Sequence, residues 1–178
     1  GEGINLWFHY RVTRLEDQLL VTSEDITERK KSEEIIQQML NGSISAITIL
    51  EAIRDKQGTI VDFVFKGANK AAEKVNSIPA EKMVGSRILD LFPGVRNVFL
   101  ETYIQVVETG VPLRVQRKYA HEHINQWFNV AAVKMEDGII LTCNDITEQK
   151  DEEKELIQLK EELAQRARDR YRKIINSM

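Results

Sequence analysis

Residues 5–30 and 125–150 of this chain carry the same pattern, and this internal repeat limits the possible folds more than any other feature of the sequence. With a shift of 120 positions and no gap, the same residue types recur in paired segments, Trp7-Phe8 with Trp127-Phe128 and Asp25–Glu28 with Asp145–Glu148. Such internal repetition is typical of a modular chain. Because only about two strands precede the first Asp-Ile-Thr motif, we expect the first copy to be the end of a unit within a longer protein.

Composition narrows the class of protein. The 178 residues suit one or two domains, and 42% apolar with 30% charged residues is ordinary for a soluble protein with helical linkers. A net charge of −3 provides no basic stripe for nucleic acid, and no apolar run approaches the roughly 18 residues of a membrane span. The single cysteine, Cys143, favours a reducing compartment. We therefore expect a cytoplasmic segment without direct membrane contact, whose parent protein could be membrane-anchored elsewhere.

Each copy of the repeat begins with the period-two alternation of a β-hairpin. In the first copy an acidic turn at Glu16-Asp17 joins the two strands, and in the second copy Asp137-Gly138 is the stronger turn signal. Pairing across the second hairpin predicts one buried face, consisting of Phe128, Val130, Ala132, Ile139, Leu141 and Cys143. The opposite face, around Trp127 and Ile140, is more apolar than a solvated face, so we expect it to be covered.

A helix follows each hairpin, over residues 28–40 and 148–173. Asp25 and Asp145 each precede a glutamate by three positions, which predicts a capping box at the helix start. Apolar residues then recur at spacings of three and four over about three heptads, which suggests a two-stranded coiled coil and a homodimer. The dimer residues predicted from this pattern are Ile36, Met39, Leu156, Leu159 and Leu163.

The segment between these helices predicts a compact mixed unit. A second hairpin is expected over Ala46–Arg54 and Ile60–Lys66, followed by a short helix that Asn69 caps at its N-terminus. A helical stretch between Pro79 and Gly85, a longer helix over 95–109 and a strand over 111–121 complete the order β-β-α-α-α-β-β-β.

This order, the Trp-Phe strand and the Asp-Ile-Thr-Glu-Gln-Lys segment at 145–150 resemble the PAS sensory-domain family. Asp62-Phe63, Asn69 and Leu91–Val95 agree with the same resemblance. It implies five segments: the last hairpin of a preceding PAS domain (1–27), a helical linker (28–42), a complete PAS domain (43–148), a signalling helix (149–173), and the start of a further unit (174–178).

The resemblance implies an α+β fold, in which short helices pack on one face of a five-stranded antiparallel sheet and helical, coiled-coil linkers flank the domain. Such domains sense or relay signals and do not catalyse reactions. In bacterial proteins resembling this one, tandem PAS units usually precede a histidine kinase in the same polypeptide, and less often a diguanylate cyclase, a phosphodiesterase or another output domain. A constitutive dimerisation scaffold that binds no ligand is the alternative.

The residues argue against the best-known PAS cofactors. Haem-binding members use a histidine, typically from the long helix, and residues 95–109 contain none. Flavin photosensors use a cysteine in a short helix, whereas Cys143 lies on the last strand without a cationic neighbour. The pair His121 and His123 lacks a third metal ligand, and no nucleophile or phosphate-binding motif is present. We therefore predict no cofactor and no catalytic residue.

A small apolar ligand between sheet and helices remains open, with plain core packing as the alternative. Tyr103 and Gln116 are the polar groups best able to orient a ligand. The predicted lining consists of Ile49, Phe63, Phe99, Tyr103, Gln116, Phe128, Val130, Leu141 and Cys143, with Ile47 as the alternative to Ile49 and Phe65 as the alternative to Phe63. The repeated junctions predict the residues that couple domain to helix, namely Asp25, Thr27, Glu28, Asp145, Thr147 and Glu148.

Overall fold

A computed structural model describes residues 5–122 and 124–176, without the side chains of residues 174 and 175. The chain divides between residues 44 and 45 into two compact units. His123 and part of the segment 174–178, where a further unit is predicted to start, lie outside the described residues.

The first unit is a hairpin followed by a helix, as predicted. Strands β1 (Phe8–Leu15) and β2 (Gln18–Asp25) pair antiparallel from Phe8 opposite Asp25 to Leu15 opposite Gln18. The loop between them has two residues, and Glu16 adopts a left-handed φ of 50° there. Helix α1 (Thr27–Gly42) follows. All residues of both strands are exposed.

The second unit contains the predicted five-stranded antiparallel sheet. Its spatial order is β4-β3-β7-β6-β5, so the last strand of the unit lies at the centre. The strands are β3 (Ala46–Arg54), β4 (Ile60–Ala68), β5 (Leu113–His121), β6 (Ile124–Met135) and β7 (Gly138–Asp145).

Short helices connect β4 to β5, and a long helix follows the sheet. The connecting helices are α2 (Lys70–Asn76), α3 (Ala80–Met83), α4 (Ile88–Leu91), α5 (Val95–Val98) and α6 (Leu100–Thr109), and the long helix is α7 (Thr147–Asn176). Asn69 caps α2 as predicted, because its side chain accepts a hydrogen bond from the Ala72 N–H at 2.9 Å.

Two helix predictions need correction. The helix expected over 95–109 is broken at Phe99, whose φ of −129° and ψ of −24° are not helical, so α5 and α6 are separate helices. Helix α4 was not predicted, since four residues are too few for a helical period to show in sequence.

The core lies between the inner face of the sheet and the short helices. Fully buried side chains come from the sheet (Leu50, Phe63, Val130, Ile139) and from the helical segment (Met83, Val107). Burying each large side chain contributes about 1.5–3 kcal/mol. Phe128, Ala132 and Leu141 are buried on the same face and Cys143 is half-buried there, which confirms the predicted pairing of faces.

Gly138 does not form the turn predicted for it. The loop between β6 and β7 is Glu136-Asp137, with Glu136 at a φ of 52°, and Gly138 is the first residue of β7. A Cβ at Gly138 would lie well inside 3.0 Å of the Leu50 carbonyl oxygen on β3. The glycine is therefore required by the close approach of two backbones.

Candidate functional site

An apolar cavity of about 80 Å³ lies between the inner face of the sheet and the short helices. A dry apolar cavity of roughly 150 Å³ holds benzene, and ordinary small-molecule pockets measure roughly 300–1,000 Å³. The cavity thus suits a molecule of few heavy atoms, and a larger ligand would require its wall to move outward.

Stacked aromatic rings form one wall of the cavity. The ring centroids of Phe99 and Tyr103 are 5.7 Å apart with nearly parallel planes, and Phe99 also stacks with Tyr119 at 6.3 Å. The guanidinium of Arg117 lies 5.9 Å from the Phe99 centroid and donates a hydrogen bond to the Val98 carbonyl. This stack ties α6 to β5, so the wall is held at both ends.

The hydroxyl of Tyr103 is the polar group most available to a ligand. Tyr103 is only 3% exposed, and its hydroxyl has no hydrogen-bond partner among residues 5–122 and 124–176. Every fully enclosed side-chain nitrogen or oxygen in this part of the chain has a partner, so the unpaired hydroxyl of Tyr103 is not fully enclosed, and Tyr103 lines the cavity. Burial raises the pKa of Tyr103 well above its usual value, which keeps the phenol protonated and able to donate.

The other polar groups on the wall are also neutral. Cys143 lines the cavity, and its burial, together with the charge of Asp145, raises the pKa of its thiol to about 12. Thr48 adds a buried hydroxyl from β3. The Asn76 amide on the wall is also neutral, so the cavity offers neutral donors and no charge, which fits an uncharged molecule carrying a hydrogen-bond acceptor.

Six of the nine residues predicted to line a ligand site border the cavity: Phe99, Tyr103, Phe128, Val130, Leu141 and Cys143. Phe63 is fully buried beside it, with its ring edge-on to Tyr103 at 6.2 Å, but does not line it. Ile49 and Gln116 do not line the cavity. On β3 the inward positions are Ala46, Thr48 and Leu50, and Gln116 is exposed on β5.

Sequence reasoning missed several lining residues. Tyr119 could have been found by alternation, because the odd-numbered residues of β5 point inward. Phe65 of β4, the alternative to Phe63, does line the cavity. Phe92 and Val95 lie on short irregular segments, where no period indicates a direction. Thr48 was passed over because its neighbours Ile47 and Ile49 are more apolar, although they lie on the other face.

The end of the sheet is bonded directly to the start of α7. The Trp127 N–H donates to the Thr147 hydroxyl oxygen at 2.9 Å, and the Ile146 N–H donates to the Trp127 carbonyl at 2.8 Å. The Asp145 carboxylate accepts from the Thr147 N–H at 2.8 Å and from its hydroxyl at 2.6 Å. Trp127, which is bonded to the start of α7, directly precedes Phe128, which lines the cavity. The cavity wall and the helix junction are therefore adjacent in the chain.

The predicted capping box does not form. The N-cap residue of α1 is Ile26, which makes no side-chain cap bond, and Asp25 accepts a bond from the Thr27 N–H at 2.9 Å. Thr27 in turn accepts from the Trp7 N–H at 2.9 Å. Aspartate and threonine therefore hold each junction, while the side chains of Glu28 and Glu148 make no bond back to the helix start within the described residues.

The predicted dimer residues are exposed in the single chain. On α7, Leu156, Leu159 and Leu163 are 52%, 53% and 54% exposed, and Ile36 and Met39 on α1 are 55% and 70% exposed. On the outer face of the sheet, Trp127 and Ile140 are half-buried. These side chains are available for contact with another molecule.

Among the residues that the structure describes, no group of three or more histidine, cysteine, aspartate or glutamate side chains is arranged to hold a metal ion. The His121 ring lies edge-on to the Tyr119 ring, with the ring centroids 5.3 Å apart. No helix within the described ranges is long and apolar enough to span a bilayer.

Comparison with known families identifies the chain. The sequence model described as the PAS fold matches residues 52–151, which is 100 of 178 residues. The chain belongs to the PAS fold family. No curated protein sequence matches it.

Solved structures of similar fold agree. The PAS domain of Bordetella pertussis BvgS superposes with a TM-score of 0.50 at 20% identity, covering 74% of this chain and 98% of that one. An RNA-binding Light-Oxygen-Voltage receptor has a TM-score of 0.52 at 16% identity, covering 89% of this chain and 43% of the receptor. A domain of a sensory box sensor histidine kinase/response regulator from Geobacter sulfurreducens has a TM-score of 0.47 at 16% identity, covering 66% and 96%. At these identities the likeness concerns the fold.

Proposed function

We propose that the complete PAS unit is a sensory and relay module of a cytoplasmic signalling protein, in which occupancy of the cavity changes the position of α7. One observation carries this proposal. Strand β6 contributes Phe128 to the cavity wall. The adjacent Trp127 donates its backbone N–H to the Thr147 hydroxyl, and its carbonyl accepts from the Ile146 N–H.

The mechanism follows from this connection. A ligand that displaces Phe128 or Leu141 shifts the ends of β6 and β7, and the bonded start of α7 moves with them. Packed interfaces tend to have discrete alternative arrangements, so a small shift can select one of two helix positions. In a dimer the same shift would change how the two α7 helices pack.

The proposed ligand is small and uncharged. The Tyr103 hydroxyl would donate to its single acceptor group, and the aromatic wall would enclose its apolar part. Neither haem nor covalently bound flavin belongs to the proposal, because α5 and α6 carry no histidine and the raised pKa of Cys143 disfavours a reactive thiolate.

The proposed assembly is a parallel homodimer through α7. Leu156, Leu159 and Leu163 form its contact, assisted by the exposed Ile36 and Met39. Burying each leucine contributes about 1.5–3 kcal/mol at most, which favours association of the two helices. The outer sheet face around Trp127 and Ile140 would add to this contact.

The proposed output is a histidine kinase in the same polypeptide, with a diguanylate cyclase or phosphodiesterase as the alternative. It rests on the resemblance to proteins whose tandem PAS units precede such domains. Kinase or cyclase assays of the intact protein separate these outputs.

The relay is tested at the junction. In the intact protein, Asp145→Ala and Thr147→Val should leave the PAS unit folded while abolishing the change in output on stimulation. Asp151→Ala, on the exposed surface of α7, is the matched control and should respond normally. An unimpaired response from both junction variants would disprove the relay mechanism.

A constitutive scaffold is the competing function, and the small volume of the cavity favours it. Thermal melting of the purified chain with a library of small uncharged molecules separates the two. A ligand that binds only the folded state, present at 100 times its Kd, stabilises it by about 2.7 kcal/mol. A Tm rise that Tyr103→Phe reduces would support sensing, and no rise with any compound would favour the scaffold.

Sedimentation equilibrium tests the dimer. Leu159→Lys should dissociate it, because the ammonium group would have to be buried in the apolar contact. Gln158→Lys adds the same charge on the opposite side of α7 and should remain dimeric. If both variants are as dimeric as the wild type, α7 is not the interface.

A further inference from the structure

An open groove of about 740 Å³ lies beside the cavity. It runs between the end of α2, the end of α4 and the start of β6, and it reaches Asp145 at the helix junction. Four residues line both the groove and the cavity, namely Val75, Asn76, Phe92 and Ile124. The cavity and the groove therefore meet at these four side chains.

Glu122 accepts hydrogen bonds from two segments that border the cavity and the groove. One carboxylate oxygen accepts a hydrogen bond from the Gly94 N–H at 2.8 Å, and the other accepts from the Tyr119 hydroxyl. Burial and the adjacent carboxylate raise the pKa of Tyr119 above its usual value, so the phenol remains the donor. Glu122 thus ties the segment carrying Phe92 to the end of β5.

The same segments are in tight contact beside this carboxylate. A Cβ at Gly94 would lie well inside 3.0 Å of the His121 side chain, so only glycine permits this approach. Glu122 itself has a left-handed φ of 45°, an unfavourable conformation for a residue with a side chain. The bond from the Gly94 N–H offsets that cost only while the two segments remain together.

We propose that the groove is the entrance to the cavity and that the Glu122 latch, meaning Glu122 with its bonds to Gly94 and Tyr119, controls passage between them. When the latch opens, the Phe92–Gly94 segment separates from Ile124 and a path to the cavity forms. Only small uncharged molecules pass, because the cavity wall offers neutral groups alone. This inference goes beyond the proposed function, since it concerns access to the cavity and not the signal.

Cys143 is a built-in reporter of this passage. It is the single cysteine of the chain and lines the cavity. Methyl methanethiosulfonate is small and uncharged and would reach it through an open path. The Cys143 sulfur attacks the sulfenyl sulfur of the reagent, forming a methyl disulfide and releasing methanesulfinate and the thiol proton. Mass spectrometry at one fixed pH gives the rate.

The latch variants should react faster. A hydrogen bond to a charged group is worth enough that its loss favours opening about tenfold or more, so Glu122→Ala should raise the rate by about that factor. Tyr119→Phe, which keeps the ring, should raise it by a smaller factor. Asn125→Trp places bulk in the groove and should slow the reaction, while Glu101→Ala on the exposed side of α6 is the control and should match the wild type.

The unfolding free energy of every variant is measured in urea, since global unfolding also exposes Cys143. The inference is overturned if labelling rates follow the unfolding free energy across the series, or if Glu122→Ala and Tyr119→Phe both label like wild type. Acceleration by both latch variants and slowing by Asn125→Trp, without matching changes in stability, supports it. The test uses no natural ligand, so a failure of the sensing function leaves it informative.

Discussion

The two copies of the repeat adopt the same local structure, but only the second is buried. In both copies the backbone N–H of a tryptophan, Trp7 or Trp127, donates a hydrogen bond to a threonine hydroxyl. The distance is 2.9 Å in each copy. Both hairpins turn through an acidic pair whose first residue has a φ near 50°, at Glu16 and Glu136. Yet every residue of β1 and β2 is exposed.

The difference lies in the partners of each hairpin. In the second copy β7 pairs with β3 and β6 pairs with β5, and short helices cover the inner face. Within the described residues, the sheet of the first copy contains β1 and β2 alone. The sequence of the repeat is therefore sufficient for the hairpin and the helix junction, whereas burial of the hairpin depends on strands elsewhere in the chain.

The largest expected difference between the copies is at their matching phenylalanines. Phe128 is 6% exposed and Phe8 is 44% exposed. Phe128→Ala should lower the unfolding free energy of the PAS unit by about 3–5 kcal/mol, because it leaves a cavity in a packed core. Phe8→Ala should change it by less than about 0.5 kcal/mol. Urea unfolding measures both, and equal losses would show that the two hairpins are buried alike.

A slightly smaller effect is expected where the copies differ in residue type. Gln18 aligns with Gly138, and only Gly138 lies against a neighbouring backbone, at Leu50. Gly138→Gln should destabilise the PAS unit by about 1–3 kcal/mol or more, since β3 must move away. The reverse exchange, Gln18→Gly, should cost at most about 1 kcal/mol. A Gly138→Gln chain with an unchanged urea midpoint would disprove the close approach.

At the junctions the copies should respond alike. Thr27→Val and Thr147→Val each remove a hydroxyl that accepts from a tryptophan N–H, and each should cost about 1 kcal/mol locally. Hydrogen exchange at the Trp7 and Trp127 amides should accelerate by a similar factor in the two variants. Acceleration at Trp127 alone would mean that the first junction is not formed in solution.

The smallest expected effect is a difference in the pH dependence of stability between the two hairpin loops. Asp137 accepts hydrogen bonds from Arg54, the shortest at 2.7 Å, and this partner lowers the pKa of Asp137 below 3.8. The pair therefore stabilises the fold above pH 3.8, and the contribution is lost as the pH falls through the lowered pKa. Asp17, its counterpart, has no ion-pair partner within the described residues.

This difference is tested by comparing the unfolding free energy of Asp137→Asn and Asp17→Asn with that of the wild type from acid to neutral pH. The loss caused by Asp137→Asn should be largest at neutral pH and vanish in acid, whereas Asp17→Asn should have no effect at any pH. A constant loss for Asp137→Asn would show that the charge of Asp137 contributes nothing.

Features that depend on neighbours in sequence were predicted from the sequence. Alternation located the strands, Asn69 marked the start of α2, and spacing located the long helices. Each of these patterns reflects backbone geometry over a few residues, so no distant contact is needed to produce it. The buried face of β6 and β7 followed from their pairing, because the two strands are adjacent in the chain.

Only the tertiary structure decided where distant segments meet. Ile49 lies on the outward face of β3, and because both faces of this strand carry apolar residues, composition could not tell which face is inward. The helical spacing of residues 95–109 did not reveal the break at Phe99. The bond from the Gly94 N–H to Glu122 joins residues 28 positions apart, which no local pattern relates. The sequence by itself determined the hairpins, the junction motif and the helical stripes, whereas the cavity and its latch arise from packing between residues far apart in the chain.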